Sequence, residues 1–191
     1  MNKKRLLQTI GLAAKRSAGE CGRYLKEKNI FAFVGENVHF QPRLVPLYPE
    51  LIKLHNNIMV SAGVRFITHD ASFVVLNRLG EERFPEEVGC IEVMNNVYIG
   101  YNATIMPNVK IGENVIVGAG ALISKDLEAN GVYVGIPAKK ICSFDDYVNR
   151  HREISAGEGY SFPYVEHNQC ISKDEIEKAW KFFEDERNFD E

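Results

Sequence analysis

His69, in Phe66-Ile-Thr-His-Asp-Ala, is the side chain best suited to chemistry in this sequence. An imidazole with an unperturbed pKa of about 6.5 takes up and returns protons near neutrality. Any single histidine is open to a plainer reading as a surface residue. His69 is set apart by position, because it closes a regular stretch and opens a long irregular one, which in a compact chain is either functional or disordered. A general base is the reading that position favours. His39, His55, His151 and His167 read as structural or surface residues. A three-histidine zinc site is not indicated, since no third histidine follows His55 and His69 in the regular stretches. Cys21, Cys90, Cys142 and Cys170 are scattered, which fits neither a disulfide framework nor a metal site and points to free thiols in a reducing cytoplasm. No side chain stands out as a nucleophile, so a reaction at His69 would run by direct attack.

The elements around His69 follow from a repeat of six. From Val93 to Lys125 an aliphatic residue (Val93, Ile99, Ile105, Ile111, Val117, Ile123) opens every six, and Val97, Ala103, Val109, Val115 and Ala121 hold the fifth place. Gly follows the opener at 100, 112 and 118. Neither a helix nor a plain strand has this period. A β-solenoid does, with one short strand and a turn per six and like positions stacked coil upon coil. The opener points inward, the fifth residue sits near a corner, and Gly or Asn takes the turn dihedrals.

Upstream, Val34, Phe40, Ile52, Ile58 and Val64 are expected as openers, with Val38, Leu44 and Ala62 in fifth places. Pro46, flanked by Pro42 and Pro49, is expected to form a bulge, since proline has no N–H for a ladder. The domain spans 31–141 with an inserted loop at 70–88, whose Phe73-Val-Val-Leu76, Phe84 and Pro85 are too apolar to lie free in water. Residues 1–30 form a helical segment with a stripe of Leu6, Leu7, Ile10, Ala13 and Ala14. It reads as a cap on the first coil, the alternative being an amphipathic helix touching a membrane or a partner. After the turn Ala129-Asn130-Gly131 and the corner Gly135-Ile-Pro-Ala-Lys, a tail spans 142–191. It opens with a short helix from Ser143 and continues through aromatic residues 155–170. It ends in a helix capped by Ser172 and Glu175, with Ile171 and Ile176 as a staple and Ile176, Ala179, Trp180 and Phe183 on one face.

The net charge of −3 and pI near 6.0 argue against a nucleic-acid partner. Lys3-Lys4-Arg5 before an apolar run imitates a signal peptide, but Gln8, Thr9, Lys15 and Arg16 interrupt it, and no stretch has the length of an integral membrane segment.

Ile99-Gly-Tyr-Asn-Ala-Thr-Ile-Met-Pro-Asn-Val-Lys-Ile-Gly-Glu-Asn, Val117-Gly-Ala-Gly-Ala-Leu-Ile-Ser-Lys-Asp and Gly135-Ile-Pro-Ala-Lys resemble the hexapeptide-repeat acetyltransferases of the maltose, galactoside, xenobiotic and O-antigen or capsule group. The resemblance covers about 33–141. It implies an all-β core folded as a left-handed parallel β-helix with helical extensions, against the generic right-handed rule for parallel crossovers. It also implies a homotrimer with sites between prisms, acetyl-CoA as co-substrate, no metal, and His69 as the catalytic base. On the same resemblance Tyr101, Ala119 and Ser124 line the pantetheine groove, and Lys125 and Lys139 neutralise the phosphates of coenzyme A. The chain departs from the family at Tyr101, where a small residue is usual, and at Cys142, where an arginine is usual and Lys140 is the expected substitute. The inserted loop would reach a neighbouring subunit, and the tail would pack on the last coil or across the trimer, or recruit a partner.

For the acceptor, Gln41, Tyr48, Asp70, Asn77 and Arg78 could supply an aromatic platform and polar groups for hydroxyls. The expected reaction is O-acetylation of a saccharide or glycan precursor. The alternatives are N-acetylation of a xenobiotic or a nucleotide-linked amino sugar, and a catalytically silent scaffold that ignores acetyl-CoA.

Overall fold

The computed structural model describes residues 2–158, 161 and 171–185. Residues 31–143 wind into a parallel β-helix with three faces. The first face stacks Phe33–Val34, Ile52–Leu54, Ile91–Val93 and Val109–Ile111. The second stacks Val38–Phe40, Ile58–Val60, Val97–Ile99, Val115–Val117 and Gly131–Val134, and the third Arg65–Phe66, Thr104–Ile105 and Leu122–Ile123. Val97 pairs with Val115, eighteen residues on, so one coil is three sixes. The openers from Val93 to Ile123 are all at 0% exposure and no fifth-place residue exceeds 2%, so both places point into the core. The fourth place turns each corner with φ between 54° and 59° at Asn96, Asn102, Asn108 and Asn114, and 70° at Gly120. Along one corner Asn57, Asn96, Asn114 and Asn130 form a ladder, each Nδ2 donating to the next Oδ1 at 2.9 Å.

The first coils correct the expected register. Val38 pairs with Ile58 twenty residues on, because the Pro42–Pro49 bulge adds two residues to its coil. Ile52, Ile58 and Val64 therefore stand in fifth places, and Leu54, Val60 and Phe66 are the openers. In the bulge Val45 is buried and Leu44 is exposed, so Leu44 is not a fifth-place residue. The next coil runs thirty-nine residues from Ile58 to Val97, carrying the inserted loop.

The expected N-terminal helix is two, α1 (Lys3–Ala13) and α2 (Ala18–Glu27). The break is a capping box: Ser17 Oγ accepts the N–H of Glu20 while Glu20 accepts the N–H of Arg16. Helix α2 packs on the first strands of faces one and two through Cys21 and Leu25, and α1 buries only Leu12. The expected stripe is not the packing face, for Leu6, Leu7 and Ile10 are exposed. Within the loop lies a short helix, α3 (Phe73–Leu76).

The second compact unit begins at Asp145. Helix α4 (Phe144–Glu153) runs from the end of the last strand, Lys139–Ser143, with acidic residues in its first turn and basic ones in its last, matching the helix dipole. Helix α5 (Lys173–Asp185) starts at the expected capping box, Ser172 N–H to Glu175 Oε2 at 2.8 Å and Glu175 N–H to Ser172 Oγ at 3.2 Å. Trp180 and Phe183 pack edge to face, while Ile171 and Ile176 stay exposed. Tyr160, Phe162, Tyr164, His167 and Cys170 lie outside the described residues. Among the described residues no helix is long and apolar enough to cross a membrane.

Candidate active site

His69 stands where the third face gives way to the inserted loop. The chain approaches along Arg65–Phe66, and the Ile67 N–H donates to Ile105 O at 2.9 Å, the last rung before the exit. Thr68 is fully buried and its hydroxyl donates to Leu47 O in the proline-rich bulge. His69 and Asp70 then pair antiparallel with Val88 and Glu87, and the Gly89 N–H returns to Thr68 O at 2.9 Å. The loop is thus closed at its base by a two-rung stalk, and His69 is fixed in the first rung.

The imidazole meets Tyr48 edge-on, ring centroids 5.8 Å apart. Its Nδ1 is buried and makes no hydrogen bond among the described residues. Such a nitrogen costs about 1–3 kcal/mol unless a bound molecule or a neighbouring chain supplies its partner. Two cavities meet at His69. One, of 560 Å³, runs from His69 and Asp70 past Met106, Pro107 and Asn108 to Ser124. The other, of 430 Å³, lies on the side of the first coils, between the bulge and Arg65–Ile67. His69 is the one residue common to both linings among the described residues.

Asp70 reaches the first cavity, but its carboxylate accepts the Ser72 N–H at 2.6 Å, a bond that holds its pKa below the usual carboxylate range. It is engaged there rather than with the imidazole. Glu86 accepts the Tyr48 hydroxyl at 2.7 Å. Ser124 shares the cavity with His69; Lys125 follows it and is exposed. Lys139 is also exposed but pairs with Val134 beside Gly118, so it borders the other end of the third face. Tyr101 and Ala119 stack at the corner of that face away from Ser124, where the Gly120 N–H donates to Tyr101 O at 2.7 Å. The expected donor groove is therefore split in one chain, with one face between its two edges.

Two expected acceptor residues have architectural work. Gln41 Oε1 accepts the Ala62 N–H at 2.8 Å. Asn77 brackets the backbone of Phe84, donating to its carbonyl at 3.0 Å and accepting its N–H at 2.6 Å. Arg78 lies exposed in the loop. Residues not foreseen are Pro107 and Asn108, which line the His69 cavity, and Arg5, Arg43 and Arg65, which line the other. Pro107 lies eighteen residues before Lys125, so the coil period was the signal for that corner. Among the described residues no cluster of three or more His, Cys, Asp or Glu is placed to hold a metal ion.

Residues 91–125 match the family pattern described as bacterial transferase hexapeptide (six repeats). The solenoid carries this hexapeptide pattern over those thirty-five residues. The hexapeptide domain shares its left-handed β-helix with solved acetyltransferases. With a galactoside acetyltransferase in complex with coenzyme A the TM-score is 0.54 at 22% identity, covering 89% of both chains. With a maltose O-acetyltransferase from Clostridium difficile 630 it is 0.52 at 22% identity, covering 74% of this chain and 84% of that one. Among curated relatives, protein CapG of Staphylococcus aureus is 41% identical over 52% of this chain and 56% of its own length. Galactoside O-acetyltransferase of Escherichia coli K12 is 28% identical over 62% of this chain and 67% of its own. The chain thus spans 53% to 67% of the length of the first curated relatives it matches.

Proposed function

We propose that the hexapeptide domain is an acetyl-CoA-dependent acetyltransferase acting on a hydroxyl of a saccharide or glycan precursor. The observation that carries this reading is the place of His69 in the wall between two cavities. A two-substrate transfer needs one proton carrier within reach of both reactants, and position supplies much of the rate. On this reading an imidazole nitrogen takes the proton as the acceptor oxygen bonds to the thioester carbon. The oxyanion then collapses, the carbon–sulfur bond breaks, and the imidazolium returns the proton to the departing thiolate. The donor's acyl end would lie along the Ser124 cavity, with Lys125 and Lys139 toward its phosphates. Asp70, held ionised by the Ser72 N–H, would line that same donor cavity.

The chain would work as a homotrimer in a reducing cytoplasm. Tyr101 and Ala119 lie across the third face from Ser124, so a second prism beside that face would complete a groove that one chain leaves open. Incubation with CoA and a thermal melt test the donor half. Saturation at a hundredfold excess over Kd stabilises by about 2.7 kcal/mol. Release of free thiol from acetyl-CoA on adding a sugar acceptor tests the whole; no melting shift at millimolar CoA would remove the reading.

A further inference from the structure

The 430 Å³ cavity on the first-coil side of His69 is lined by three arginines, Arg5 from α1, Arg43 from the bulge and Arg65 from the third face. No carboxylate appears among its described lining residues, although the chain as a whole carries a net charge of −3. Two of the arginines are held in place by the fold. Arg5 Nε donates to Val45 O at 2.8 Å, and Arg43 Nη1 donates to Lys15 O at 2.7 Å and to Cys21 Sγ at 3.2 Å. Each contact occupies one nitrogen of a planar fork that carries further N–H donors. Arg65 is exposed and stands on the outer side of its strand, in register with Thr104 and Leu122. The remaining walls are apolar, from Pro42, Pro46 and Leu47.

Three arginines lining one concave, partly apolar cavity raise the local concentration of anions, and guanidiniums bind oxyanions through paired N–H bonds. A neutral sugar would leave that charge uncompensated. We propose that this cavity takes an acceptor bearing an oxyanion, a carboxylate or a phosphate, whose hydroxyl is thereby presented to His69. The proposal rests on the acetyltransferase reading for what His69 then does, but its binding half stands apart from that reading.

Calorimetric titration of the full chain with methyl glucoside, methyl glucuronide and glucose 6-phosphate tests it. At least one charged sugar should bind about tenfold or more tighter than the neutral one, with an advantage that shrinks as salt is raised. Preference for the glucuronide names the carboxylate, and preference for the phosphate names the phosphate. Arg65→Gln should collapse the charged-to-neutral affinity ratio, and Arg65→Lys should restore part of it, with circular dichroism confirming that both variants fold. Equal affinity for all three sugars, no binding of any, or an equal loss for charged and neutral sugars in Arg65→Gln would overturn the proposal. So would displacement of the charged sugar by CoA, since the arginines would then serve the phosphates of the donor. Failure of the enzyme reading shows separately, as a melt that CoA does not shift.

Discussion

Tyr48 stands perpendicular to His69, with ring planes at 90° and centroids 5.8 Å apart. Tyr48 sits at φ 50°, a backbone conformation few side chains adopt, and its hydroxyl donates to Glu86 Oε2 at 2.7 Å. Bulge, imidazole and the returning arm of the loop are joined through these two contacts. The hydrogen bond to Glu86 pushes the Tyr48 phenol above its ordinary pKa, so the donor proton stays in place across the neutral range.

On the proposed mechanism Tyr48 is a positioning residue. Tyr48→Ala removes the ring and should lower kcat about tenfold with a smaller change in KM, since small misplacements of a base are costly. Tyr48→Phe keeps the ring and should recover most of the rate. If Phe is as slow as Ala, the ring contact is not what matters and the tie to Glu86 is.

The repeat from Val93 onward was legible because opener and fifth place are both fully buried, giving two fixed apolar positions in every six. The same fact hid the register of the first coils. Fifth place and next opener lie two residues apart and face the same way, so hydrophobicity cannot tell Ile58 from Val60. Only the ladder reveals the two residues that the proline bulge adds. His69 stands out in the sequence because it sits at a break in the pattern. Arg5, Arg43 and Arg65 belong to a helix, a bulge and a strand, and nothing short of folding brings them to one cavity. Ser17 and Glu20 did carry the signature that splits the N-terminal helix.

The glycines at the second and fourth places should respond differently. A Cβ on Gly100 would lie 2.6 Å from the Ala119 nitrogen in the next coil, a backbone atom with nowhere to move. Gly100→Ala should cost about 1–3 kcal/mol. Gly120 has open space around it but φ of 70°, the turn that Asn makes at 96, 102, 108 and 114. Gly120→Asn should be close to neutral in urea denaturation, and a loss matching that of Gly100→Ala would refute the distinction.

Glu92 tests the electrostatics of the first face. His55 Nε2 lies 3.0 Å from one of its oxygens and Lys110 Nζ 3.5 Å from the other, and the bond from His55 foremost holds its pKa down. A depressed carboxylate stabilises fully above its unfolded value, about pH 4.3, and the contribution is lost as pH falls through the folded value. Glu92→Gln should therefore cost about 0.5–1 kcal/mol at pH 7, for a pair only partly buried. The gap between wild type and variant should close as pH falls below that folded value. A gap that persists there would mean the loss is not ionic.

The inserted loop tests assembly. In the single chain Val74, Val75, Leu76 and Leu79 are exposed, up to 77% at Leu79. In the proposed trimer a neighbouring prism covers them. Deleting residues 72–83 should shift sedimentation toward smaller species and cut turnover while leaving the β signal in circular dichroism. A wild type that sediments as a stable monomer contradicts the trimer.

The most direct measurement is the turnover of His69→Asn with acetyl-CoA and an accepted sugar. Asparagine keeps comparable bulk and cannot take up a proton near neutrality. A positioned base contributes about 10²–10⁴-fold, so kcat should fall by at least about a hundredfold, with the CoA-induced melting shift retained. A His69→Asn enzyme that binds CoA and turns over within about threefold of wild type, well inside the effect expected of a base, would contradict the account.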